Sequence, residues 1–101
     1  MKAVGLALLV GLSTAYAQAS DCRKEAEKIA IDDAKKEDKT MNAAKETSRI
    51  TDAETLKVSK VKADELLFST QAHNPKGDLI PYSVVVKKKG CKKVSVEATE
   101  L

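Results

Sequence analysis

A chain of 101 residues has room for one domain and no more. Its two cysteines, single histidine and lack of tryptophan leave little material for a metal centre or a stacked cofactor. No P-loop, dinucleotide fingerprint, CxxC or HExxH is present, so the enzyme classes that those motifs mark are not indicated.

The chain begins with the pattern of a secretory signal peptide over residues 1–17. Met1-Lys2 is a short positive start, Ala3 to Leu12 an apolar run, and Ala15-Tyr16-Ala17 supplies small residues at −3 and −1. Cleavage before Gln18 is expected, with cleavage after Ala19 the near alternative. The run is too short for a permanent membrane anchor. Lipidation of Cys22 is disfavoured by Asp21 directly before it. The mature chain, residues 18–101, then reads as a single small α+β domain with no transmembrane segment, periplasmic or secreted.

An exported chain meets an oxidising compartment, so a disulfide between Cys22 and Cys91 is the natural pairing. Zinc would need two further ligands, which one histidine and scattered carboxylates supply poorly. Neither metal nor cofactor is expected. Charge is divided unevenly. Residues 18–54 carry eight basic and ten acidic side chains, and residues 55–101 nine lysines against five acids.

Neither Gly nor Pro occurs from Ser20 to His73. Ser20 or Asp21 can cap a helix, and Asp21, Glu25 and Glu27 suit its positive end. Helical spacing places Cys22, Ala26, Ile29, Ala30, Asp33 and Ala34 on one side. The same period continues through Glu37, Thr40, Met41, Ala44 and Thr47. Helix is therefore predicted to about residue 50, with either a break near Thr40-Met41-Asn42 or a projecting end, because an unbroken helix of that length would reach about 45 Å.

Four strands are predicted after it. Leu56 and Val58 alternate in the first, with Val61 out of phase. Ala63-Asp64-Glu65 reads as a turn, and Leu66, Phe68, Thr70 and Ala72 form one side of the second strand. Asn74-Pro75-Lys76-Gly77-Asp78 is the clearest loop in the chain. Ile80, Tyr82, Val84 and Val86, then Val94, Val96 and Ala98, define a final hairpin about Gly90. Sequential strands at hairpin spacing predict a four-stranded antiparallel meander with the helix across one face, in two layers. Bringing Cys91 to the helix side requires a bulge at Gly90-Cys91.

This arrangement is similar, at the level of fold, to cystatin-like small secreted modules. The protease inhibitors among them carry a Gln-Val-Val-Ala-Gly-like hairpin and a tryptophan-bearing loop. Here the first reads Lys57-Val58-Ser59-Lys60-Val61 and the second has no tryptophan, so cysteine-protease inhibition is not expected.

Three features could carry chemistry. Lys87, Lys88, Lys89, Lys92 and Lys93 crowd the last hairpin and would attract an acidic protein, glycan or lipid headgroup. With no aromatic residue among them and no arginine, nucleic acid is not expected. The same lysines could simply protect a strand edge from pairing with other chains. Asp33 and Glu37, four apart, could form a carboxylate pair, or could meet Lys57 or Lys60 from the sheet. His73 lies beside the 74–78 loop without a nucleophile elbow or oxyanion loop. The sequence thus indicates a non-catalytic exported binding module. An inhibitor presenting the 74–78 loop, and a small hydrolase using His73 with Asp33 or Glu37, are the alternatives.

Overall fold

The computed structural model describes residues 22–99. The signal peptide and its cleavage sites lie outside the described residues, as do the expected caps Ser20 and Asp21. Within them the elements run α1 (Arg23–Glu37), β1 (Ala43–Ile50), α2 (Ala53–Val58), β2 (Glu65–His73), β3 (Leu79–Lys87) and β4 (Lys93–Ala98). The strands form one antiparallel sheet in the order β1-β2-β3-β4, a meander, with α1 packed on one face.

The buried stripe of α1 is Ala26, Ala30 and Ala34, preceded by Cys22 at the N-cap. Residues four apart share a face, and alanine loses no rotamer freedom on burial. Small side chains also let the helix backbone approach the sheet closely. The sheet supplies the bulk: Leu66, Phe68 and Ala72 from β2, and Tyr82, Val84 and Val86 from β3, join the alanines in one core. Alternation along these strands puts all six on the helix side. Leu67 and Val85, paired with each other on the opposite face, are buried as well.

Helix α1 stops at Asp38, whose backbone is extended. Its carboxylate accepts hydrogen bonds from Thr40 N at 2.9 Å and Thr40 Oγ1 at 2.6 Å, which turns the chain toward the sheet. The expected break near residue 40 is therefore present, but the segment beyond it is a strand and not more helix. The Ala-rich composition of residues 43–50 favours helix, and pairing with β2 overrides that preference. A bulge at Glu46–Thr47, with Glu46 at φ 53°, lets Thr47 Oγ1 approach Thr70 Oγ1 at 2.7 Å and donate to Glu27 of α1.

The strand expected around Thr55–Val61 is a second correction. Residues 53–58 form α2, capped by Asp52 Oδ1, which accepts from Glu54 N at 2.9 Å and Thr55 N at 3.1 Å. An aspartate three residues ahead of a threonine amide is a strong N-cap, and it outweighs two alternating aliphatics. Lys57–Val61 is accordingly the end of a helix and a turn, not the hairpin of the cystatin comparison.

Candidate functional site

The β3–β4 turn is built from three constraints. Lys87 N donates to Lys92 O at 2.8 Å to close it. Gly90 and Cys91 both have positive φ, 82° and 52°, which bends the chain sharply. At the start of β4 the register slips: Val85 faces Ser95 but Val86 faces Lys93, leaving Val94 as the extra residue of a bulge. Together these turn Cys91 toward the helix. The Cys22–Cys91 disulfide is formed, with Cα atoms 5.4 Å apart. The last turn is thereby fixed to the N-cap of α1, closing a loop across 69 positions. The loop-entropy view assigns such a link about 4 kcal/mol.

The five lysines of this turn are not equivalent. Lys87 Nζ donates to Asp64 Oδ2 at 3.0 Å and lies 3.5 Å from Glu65 Oε2. That hydrogen bond holds the Asp64 carboxyl below the usual range and raises the Lys87 ammonium above its own. Lys88 N donates to Asp64 O at 2.9 Å, so the β1–β2 connection buttresses the tip. Lys88, Lys89, Lys92 and Lys93 are exposed. In the sequence alone the five read as one cluster. The acids that occupy Lys87 come from a segment more than twenty residues earlier, and no local pattern announces them.

Asp33 does not meet Lys57 or Lys60. Those lysines belong to α2 and its following turn, at the end of the sheet where α1 begins, while Asp33 lies in the second half of α1. Asp33 Oδ2 instead accepts from Tyr82 Oη at 3.0 Å, and its other oxygen lies 3.9 Å from Lys36 Nζ. Burial first, and then the Asp33 hydrogen bond and charge, push the Tyr82 phenol up to about 12. Glu37 is exposed on the last turn of α1. Beside this pair an open groove of about 260 Å³ is lined by Ile29, Asp32, Asp33, Lys36, Lys93 and Val96.

His73 sits opposite Leu79 in β2, one residue out of phase with the helix-facing Ala72. Its side chain is therefore directed to the face away from Asp33 and Glu37, and the sheet separates it from both. Among the described residues no group of three His, Cys, Asp or Glu side chains could hold a metal ion.

The 74–78 loop is organised from within. Asn74, 2 % exposed, accepts from Lys76 N at 3.1 Å and Asp78 N at 3.0 Å. Its amide donates to Thr40 Oγ1 at 3.1 Å, Asp78 Oδ2 at 3.0 Å and Asp38 Oδ2 at 3.4 Å. Gly77, at φ 94°, completes the reversal. Pro75, Lys76 and Gly77 are left exposed on a tied frame.

Comparison with protein-family models, with curated proteins and with solved structures gives no match in any of the three.

Proposed function

We propose that the protein is a small exported interaction module without catalytic activity, acting through the exposed lysines of the β3–β4 turn on an acidic protein, glycan or lipid headgroup. The observation that carries this reading is the anchoring of the turn. Four exposed lysines, Lys88, Lys89, Lys92 and Lys93, stand on a segment held by the Cys22–Cys91 disulfide and by Asp64. Preorganised charge loses less entropy on binding than charge on a free loop. A periplasmic or secreted location is part of the proposal. The disulfide fits an oxidising compartment, and among the described residues no helix is long and apolar enough to cross a membrane. The separation of His73 from Asp33 and Glu37 gives the hydrolase alternative no assembled site. Capture of partners from a periplasmic extract, with and without charge reversal of the four lysines, tests the reading. Loss of partners supports it, and an unchanged set overturns it.

The Asn74 network favours a second reading, an inhibitor of a secreted enzyme that presents Pro75-Lys76-Gly77. An inhibitory loop must resist the enzyme it occupies, and internal hydrogen bonds are one way to hold it. Rapid cleavage after Lys76 by a trypsin-like protease would count against it.

A further inference from the structure

Antiparallel order places the end of β1, the start of β2, the end of β3 and the start of β4 at one end of the sheet. The disulfide brings the beginning of α1 to the same end. Three segments distant in sequence therefore meet there: Arg23-Lys24, the connection 51–64 with α2, and the turn 88–92. Lys87 and Lys88 tie the turn to the connection through their hydrogen bonds to Asp64, and the Cys22–Cys91 disulfide ties the start of α1 to the turn. This end carries the five hairpin lysines, three more at 57, 60 and 62, and Arg23 and Lys24. Among the described residues the acids at this end are Glu25, Asp52, Glu54, Asp64 and Glu65. The remaining described residues carry slightly more acid than base. Positive charge is thus gathered at one end and not spread over the surface. On the same end Val58, the last residue of α2, is 81 % exposed with Lys57 beside it and Lys60 two residues on. Just behind the tip Val94 is 43 % exposed.

We propose that this end docks on the surface of an anionic lipid bilayer, with the lysines among the phosphate headgroups and Val58 entering the interfacial layer. The proposal deepens the interaction-module reading and rests on it. Clustered lysines near an anionic surface act additively, and stable attachment needs a second, apolar signal beside the charge. Val58 supplies that signal. Its place on α2 keeps it clear of the core, so it contributes to docking and little to folding.

The test is co-sedimentation of the natively exported chain, disulfide intact, with vesicles of phosphatidylglycerol and phosphatidylcholine, against vesicles of phosphatidylcholine alone. Binding only to the anionic vesicles is expected, weakening about tenfold or more between low and physiological salt. The triple reversal Lys88→Glu, Lys89→Glu, Lys92→Glu should lower it by at least about tenfold. Val58→Ser, which changes no charge and leaves the melting transition in place, should lower it several-fold. Equal binding to both vesicle types, no binding to either, or indifference to either variant overturns the proposal. If extract capture remains lysine-dependent while vesicles do not bind, the bilayer is wrong and the interaction module survives with an acidic protein or glycan as its partner. If capture also ignores the lysines, both readings fall.

Discussion

Tyr82 and Asp33 join sheet and helix by a single hydrogen bond of 3.0 Å, the phenol donating to Oδ2 from a position only 1 % exposed. Tyr82→Phe keeps the ring in the core and removes the bond. Asp33 is partly exposed to solvent and keeps Lys36 at 3.9 Å, so the expected cost is about 1 kcal/mol in a urea transition at pH 7. The pH dependence has a definite sign. The folded phenol ionises near 12 and an unfolded one near 10, so the unfolded state loses its proton first. This contribution is complete below about pH 10 and is lost as pH rises toward 12. Wild-type stability should fall more steeply than that of Tyr82→Phe across that window.

Removing the disulfide by Cys22→Ser with Cys91→Ser should cost about 4 kcal/mol, with 2–5 the range for small domains. Cys22 is fully buried, so a Cys22→Ala, Cys91→Ala pair should be somewhat better tolerated than the serine pair. Thermal unfolding of the variants, and of the wild type with and without reductant, measures both effects.

Asn74→Ala should loosen the β2–β3 loop before it unfolds the domain. Five side-chain hydrogen bonds are lost, two of them from the amides of Lys76 and Asp78. Limited proteolysis after Lys76 should accelerate at least about tenfold, because cleavage follows the population of the open loop. An unchanged rate would mean that Pro75 and Gly77 alone set the loop.

Asp52→Ala should remove the cap of α2 at a cost of about 1 kcal/mol. Because α2 has no buried residue, the loss should be local. Amide exchange at Glu54 and Thr55 should quicken while the amides of β2 and β3 hold their protection.

Much of this architecture is legible in the residues, and its failures have a common cause. The Cys22-Ala26-Ala30-Ala34 stripe, the alternation of Leu66 to Ala72 and of Tyr82 to Val86, and the cysteine pair each carry their message locally or by pairing arithmetic. β1 does not. Its residues are only half-buried at best, and it becomes a strand because β2 offers a ladder to complete. The segment Ala53–Val58 carried its signal in Asp52, but Leu56 and Val58 imitate a strand over so short a run. At the lysine turn, charge was legible from composition. The occupation of Lys87 by Asp64 and Glu65 was not, since it depends on how the β1–β2 connection folds back.

The bond between Cys22 and Cys91 has a topological consequence. It makes nearly all of the folded polypeptide a closed ring, so a protease that cuts once inside it, at Lys76 or in the 51–64 connection, releases nothing. Both pieces stay tethered, the ladder between them can reseat, and two cuts or a reductant are needed before any fragment drifts away.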